Sequence, residues 1–249
     1  MYLNVHSQYS LRYGTMSIKA LVAEAKLKGI GEMVLTDINN CTGMMEFMRE
    51  CDKVEIKAIA GMEIRENNKL LYICVAKNRE GVREINEFVS AHNLAQTRKP
   101  IECPAFQHAF CIYPFSYKGK LKPSEFMGIR YDELHFLYKQ DISSFSNRLV
   151  VLQPVFVQNK LEHRIHEYLR SIDTNTLLST IDPTEKCSIK DVFLTPDELE
   201  ARFSKYPFIL DQTIALLAGC IMDYPREKIK LNRKTFTGNE SDDRDLLEK

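Results

Sequence analysis

Tryptophan is absent from the 249-residue sequence, and so is net charge, with 34 Lys and Arg against 34 Asp and Glu. A free-standing nucleic-acid-binding module carries a basic field or stripe, so this chain is not expected to hold DNA strongly by itself. No apolar run approaches the ~18 residues that span a bilayer. The opening Met1-Tyr2-Leu3-Asn4-Val5-His6 lacks the basic head and apolar core of a signal peptide. Cys-x-x-Cys is missing too. Cys41, Cys51, Cys74, Cys103, Cys111, Cys187 and Cys220 are odd in number and scattered, which reads as reduced thiols rather than a secreted disulfide framework. Together these absences predict a soluble, cytoplasmic chain with no membrane partner. Its composition, 44% hydrophobic and 27% charged, excludes fibrous and disordered classes. A chain of this length buries about three quarters of its unfolded surface and needs no disulfide or metal staple.

What is present in the first ninety residues is alternation of short apolar runs with amphipathic stretches, the pattern of βα units on a mostly parallel sheet. Strands are predicted at Tyr2 to His6, Met33 to Asp37, Ala58 to Glu63 and Leu70 to Val75. Ser17 suits the cap of a first helix that Gly29 stops, a second helix is predicted from Gly43 to Asp52, and Val82, Ile85, Phe88 and Val89 mark a third. Four βα repeats point to a barrel or a doubly wound sheet. Residues 94 to 107 read as a surface excursion. Further strands are predicted at Phe110 to Tyr113 and Leu149 to Leu152, and a short helix at Tyr131 to Lys139. An amphipathic helix from Lys160 to Ile172 carries Leu161, Ile165, Tyr168, Leu169 and Ile172 on one face. Thr195-Pro196-Asp197-Glu198 is a capping box that opens a helix through Phe203, followed by another from Phe208 to Cys220. Lys228 to Lys234 is basic and extended, and Ser241 to Lys249 reads as the beginning of a helix. The chain is therefore expected to be the front part of a longer protein.

In a parallel β/α architecture the working residues sit at the carboxyl ends of strands. Three such ends carry possible metal ligands, namely His6, Asp37 and Glu63, and adjacent strands would bring them to one rim. Asn4 shares a face with His6 because side chains repeat every two residues. An imidazole with two carboxylates suits a divalent ion that activates water or polarises a phosphate; hydrogen-bonded loop residues are the competing reading. Beside them, Tyr9 to Thr15 offers Arg12 and two tyrosines, either for a phosphate or base or as packing. His163 and His166, i and i+3 on the amphipathic helix, are read as exposed polar positions rather than a metal pair. Cys41 lies near the rim with no base to activate it.

The stretches Val5-His6-Ser7-Gln8-Tyr9-Ser10-Leu11, Leu35-Thr36-Asp37-Ile38-Asn39-Asn40 and Ile59-Ala60-Gly61-Met62-Glu63 resemble the start of the polymerase and histidinol phosphatase (PHP) domain. The resemblance is greatest to the PHP domain at the front of bacterial DNA polymerase III alpha subunits, and it continues through Leu71 to Gly81 and the late helix around Phe203 to Cys220. It implies a distorted seven-stranded β/α (TIM-like) barrel over residues 1–225, with 226–249 the start of a linker towards a polymerase body. Active members hold a metal cluster and hydrolyse phosphoesters, and some trim DNA from the 3′ end.

Carried over residue by residue, the family's opening His-x-His is Asn4-Val5-His6, its Thr-Asp-His is Thr36-Asp37-Ile38, its Gly-x-Glu survives as Gly61-Met62-Glu63, and its late Asp-x-His has no counterpart. His6, Asp37 and Glu63 thus stand as vestigial metal candidates, with Asn4 a weak one whose carbonyl oxygen suits magnesium better than zinc. The cofactor expectation is none, or one weakly held divalent ion (Mg, Mn or Zn). The implied role is structural and docking, with the rest of the polymerase alpha chain and a proofreading exonuclease subunit as partners and DNA reached through the parent protein. The alternatives are a metal-dependent phosphoesterase or 3′-5′ exonuclease using a reduced site, and an adaptor unrelated to replication.

Overall fold

A computed structural model describes residues 1–139, 145–223 and 235–248. Its framework is one eight-stranded sheet: β1 (Tyr2–Val5), β2 (Glu32–Leu35), β3 (Lys57–Glu66), β4 (Lys69–Ala76), β5 (Ala109–Pro114), β6 (Glu125–Ile129), β7 (Leu149–Val151) and β8 (Pro154–Val155). They lie in the order β7-β6-β5-β4-β3-β2-β1-β8. The two edge strands are separated in sequence only by Leu152 and Gln153, and three peptide steps reach at most about 11 Å. The sheet therefore has to curl until its edges nearly meet. That accounts for the strand count, which is eight rather than the expected seven: the chain leaves β7, turns, and pairs Asn4 with Pro154 and Val5 with Val155.

The α/β character is as expected, but the repeat is not βα throughout. β3 and β4 pair antiparallel, as do β4 and β5. Only Asn67 and Asn68 connect β3 to β4, both with positive φ (48° and 61°), the twin left-handed conformation of a tight hairpin turn for which Asn is suited. Two residues cannot carry a crossover to a parallel strand.

The helices follow their local signals. The Ser17 side chain accepts from the amide of Ala20 to start α1 (Ile18–Leu27), and Gly29 at φ 71° ends it. α2 (Met44–Lys53) and α3 (Arg79–Ala95) bury Phe47, Met48, Ile85 and Val89 against the sheet. Asn159 caps α4 (Lys160–Thr174). The reciprocal Thr195–Glu198 capping box opens α5 (Pro196–Phe203), and α6 (Pro207–Ala218) follows. Tyr131–Lys139 is a 3-10 helix rather than an α-helix. α7 (Glu240–Leu247) is capped by Asn239, two residues before the expected Ser241. The basic run 228–234 lies outside the described residues.

One helix is turned opposite to its amphipathic pattern. On α4, Leu161, Ile165, Tyr168 and Ile172 are exposed, whereas His166 and Arg170 are 0% and 1% exposed. The inward side meets the carbonyl oxygens of Arg12, Tyr13 and Glu185 and the Glu185 carboxylate, with Asp173 of the helix itself adding a second carboxylate to Arg170, and a face of acceptors requires donors.

Candidate functional site

β1, β2 and β3 are neighbours, so their carboxyl ends converge as expected. His6 follows β1 directly and its amide donates to the Val155 carbonyl of β8 (2.9 Å). Asp37 lies two residues past β2, where its carbonyl accepts from the amide of Glu63, and Ile38 bridges Glu63 in parallel. Asn39, at φ 54°, then clamps the far end of β3: its backbone amide donates to the Glu63 carbonyl, and its side chain exchanges hydrogen bonds with the backbone of Arg65 (3.0 Å each). Gly61 is demanded by close strand approach, since a Cβ there would stand 2.6 Å from the Cys74 carbonyl oxygen.

These placements gather Asn4, His6, Asp37 and Glu63 in one interior site, none more than 2% exposed. His6 and Glu63 meet directly, Nε2 to Oε2 at 3.1 Å. Asn4 joins them, its amide donating to Glu63 Oε2 (3.0 Å) and its carbonyl oxygen lying 2.5 Å from His6 Nε2. The Thr36 hydroxyl donates to that same carbonyl oxygen (2.8 Å). Asp37 is one step removed. Its carboxylate accepts from the Ser7 amide, the Ser7 hydroxyl and the Ser10 hydroxyl, all at 2.7 Å, and Ser10 Oγ lies 3.3 Å from His6 Nδ1.

The residue that organises the centre is Arg65, which the sequence reading passed over. It sits two positions after Glu63 on β3, hence on the same face, and its guanidinium ion-pairs with Glu63 Oε1. The same guanidinium stacks 4.4 Å from the Tyr13 ring centre and lies 5.7 Å from Phe156. Phe156 in turn stacks on the His6 imidazole at 3.9 Å, tilted by only 13°. Burial pushes the Glu63 carboxyl up, but Arg65 and then His6 outweigh it and hold it at about 2. Burial likewise pulls Arg65 down, and the charge of Glu63 reverses that, so the guanidinium is held more firmly cationic.

The outer wall is equally committed. Tyr13 is buried in the packing among Phe156, His166 and Arg170, Tyr9 donates to Glu46 (3.1 Å), and Arg12 pairs with Asp173 at the surface. Within the Tyr9 to Thr15 loop, Tyr13 is therefore packing, whereas Arg12 stays at the surface. His166 is not the exposed residue expected. Its Nδ1 donates to the Tyr13 carbonyl (2.7 Å) while Nε2 accepts from the Cys187 amide (2.9 Å), and burial lowers its pKa to about 4. Both ring nitrogens are spent, so it makes no metal pair with His163. Ile38, in place of the family's histidine, packs against the apolar cluster of Tyr13, Phe156, Val157 and Cys187.

The donor set is largely taken up by the chain's own groups. His6 Nε2 faces two oxygen acceptors, so it carries its hydrogen and offers no lone pair there. Each carboxylate oxygen of Glu63 and Asp37 already accepts a hydrogen bond or an ion pair. Among the described residues, no group of three or more His, Cys, Asp and Glu side chains is arranged to hold a metal ion. No helix among them is long and apolar enough to cross a membrane.

Comparison with known proteins identifies the family. Over 270 aligned residues the chain is 24% identical to the error-prone DNA polymerase of Symbiobacterium thermophilum, an alignment that covers 88% of this chain and 25% of that protein. It is 42% identical over 64 residues to the DNA polymerase III subunit alpha of Treponema pallidum (26% of this chain, 6% of that one). Against the corresponding subunit of Chlamydia trachomatis it is 35% identical over 99 residues (33% and 8%). The chain thus spans a quarter or less of the length of these relatives. The PHP domain profile matches residues 3–176, from β1 through α4. With the strands β1, β2 and β3 that carry His6, Asp37 and the Gly61-Met62-Glu63 stretch, and most of its length, inside that match, the chain belongs to the PHP domain family.

Proposed function

We propose that this chain is the PHP domain of a DNA-polymerase-type polypeptide, retained as a structural and docking module with its phosphoesterase centre closed. The observation that carries this reading is the Glu63–Arg65 pair inside the site. A guanidinium supplies the positive charge that a bound ion would bring, and it has no labile water to activate. His6, Asp37, Glu63 and Asn4 are then the remnant of a ligand set, converted into a hydrogen-bonded plug that ties β1, β2 and β3 together. The cofactor complement is none, or one weakly held divalent ion. The partners are the remainder of the longer polypeptide and a proofreading exonuclease subunit, with DNA met through the parent protein in the cytoplasm.

The test is metal analysis of the chain after equilibration with manganese and zinc, combined with assays for release of phosphate from a chromogenic monoester and for trimming of single-stranded DNA. The proposal expects less than one retained ion per chain and no metal-stimulated product. Two or more tightly held ions, or a manganese- or zinc-stimulated activity abolished by Asp37→Ala, would overturn it in favour of a phosphoesterase working with a reduced site.

A further inference from the structure

Away from that site, three of the seven cysteines meet in the core. Cys74 on β4 and Cys111 on β5 are register partners in an antiparallel pair, so their side chains share one face of the sheet. The Cys111 amide is turned to Ser124 on the β6 side, which makes Cys74 and Cys111 a non-hydrogen-bonded pair, the close kind with Cα atoms about 4.5 Å apart. Tyr72 and Tyr113, each two residues away, stand on the same face, with ring centres 5.8 Å apart. Cys103 comes down onto this face from the irregular stretch before β5, held by its amide donating to the Tyr113 hydroxyl (2.7 Å). All three cysteines are 3% exposed or less, and the Tyr113 hydroxyl that holds Cys103 belongs to the residue two positions from Cys111 on the same face.

Three features give this cluster chemistry. The neighbouring thiols, Cys111 more than Cys74, shift Cys103 towards its thiolate, while burial pushes the other two up. The Tyr72 hydroxyl is wholly buried with no hydrogen-bond partner among the described residues, and it lies close enough to feel the charge of all three sulfurs. The segment bearing Cys103 has no regular secondary structure and exposes its neighbours Ile101 and Glu102, so a local opening that admits a small molecule breaks few backbone contacts. The cluster is not a metal cage of the three-ligand kind.

We propose that Cys74, Cys103 and Cys111 form an oxidation site for a peroxide-class oxidant, in which Cys103 is the attacking sulfur and closes a disulfide with one of the two strand cysteines. The Cys103 thiolate attacks one peroxide oxygen. The O–O bond breaks, hydroxide leaves and becomes water on taking a proton, and a sulfenic acid remains. A neighbouring thiol sulfur then displaces the hydroxyl, forming the S–S bond and releasing a second water. Two thiols give up two electrons and two protons, and the peroxide is reduced to two waters. The unpartnered Tyr72 hydroxyl supplies a hydrogen bond to the entering oxidant.

The experiment treats the full chain with limiting hydrogen peroxide under native conditions, blocks residual thiols by alkylation, and maps peptides without reduction. The expected product links the Cys103 peptide to that of Cys111 or Cys74, with a mass loss of about 2 Da for the hydrogens removed. Cys103→Ser abolishes the link, whereas Cys41→Ser, at the half-buried cysteine outside the cluster, leaves it intact. A Cys103 that stays reduced while Cys41 oxidises, a Cys74–Cys111 link without Cys103, or a Cys103 sulfinic acid without a disulfide would each overturn the proposal. The wild-type map is decisive even if Cys103→Ser fails to fold.

Discussion

Replacing Arg65 by methionine removes the guanidinium that pairs with Glu63 and keeps a side chain of similar reach. Glu63 has a side chain 1% exposed and Arg65 one 10% exposed, so the variant leaves a carboxylate facing only His6 and the Asn4 amide in a site shut to water. Breaking a buried pair from one side costs about 3–5 kcal/mol. A second route gives a similar figure: a carboxyl held at about 2 instead of 4.5 reports about 3 kcal/mol of preference for the charged form. Because the folded value is depressed, that stabilisation is present above pH 4.5 and lost as pH falls towards 2. Urea denaturation at neutral pH should therefore show Arg65→Met about 3 kcal/mol less stable than wild type, about 6–12 °C in Tm for a chain of this size, with the gap narrowing below pH 4.5. Glu63→Gln combined with Arg65→Met should recover much of the loss, since removing both charges relieves the uncompensated one. A single variant within about 0.5 kcal/mol of wild type, the scatter of ordinary surface changes, or a double variant no better than the sum of the singles, would refute the assignment of Arg65 as the site's cation.

The other residues make separable predictions. Asp37→Asn places an amide N–H against Ser7 and Ser10 donors and should cost about 1–3 kcal/mol in denaturation, while leaving the folded chain's circular dichroism unchanged. Gly61→Ala drives a methyl into the Cys74 carbonyl, Val34 and Thr36 and should cost about 1–3 kcal/mol by the same measurement. His166 is a base whose folded value, about 4, lies below the usual 6.5. Its effect is nil above about pH 6.5 and becomes destabilising as pH falls towards 4, by at most about 3 kcal/mol; a stability–pH curve of His166→Gln should be flatter in that window. Ile172→Lys, on the outward face of α4, should change stability by less than about 0.5 kcal/mol.

Where the controlling physics is local, the chain's organisation is readable from its residues. Ser17 and Gly29 bound α1, Thr195 and Glu198 open α5, and the apolar runs of β1, β2 and β3 put His6 and Asp37 just past neighbouring strand ends, with Glu63 beside them but inside β3, which runs on to Glu66 rather than ending there as expected. The misreadings arise where a distant part of the chain decides. Asn67-Asn68 is a weaker hairpin signal than Asn-Gly, so a reversal passed for a crossover. β8 is two residues long, and its strand exists only because the curled sheet offers β1 an open edge. Arg65 was within reach, since the same two-residue period that linked Asn4 to His6 links Glu63 to Arg65. Phe156 and His166 were not, because they reach the site only through closure of the sheet and docking of α4.

α4 shows why periodicity alone misleads here. Its apolar stripe faces outward and its His166–Arg170 side inward because the space it covers is lined mainly by acceptors. The Arg170 guanidinium satisfies the carbonyls of Arg12 and Glu185 and the carboxylates of Asp173 and Glu185, and it lies 5.1 Å from the ring centre of Tyr13, which Arg65 also approaches. Two guanidiniums thus converge on one tyrosine, each offset by its own carboxylates, so the positive charge in this region is covalently attached to the fold. On the proposed reading, a cation entering the site competes with Arg65 for Glu63 rather than meeting a free carboxylate, and breaking that buried pair is the cost its binding has to offset.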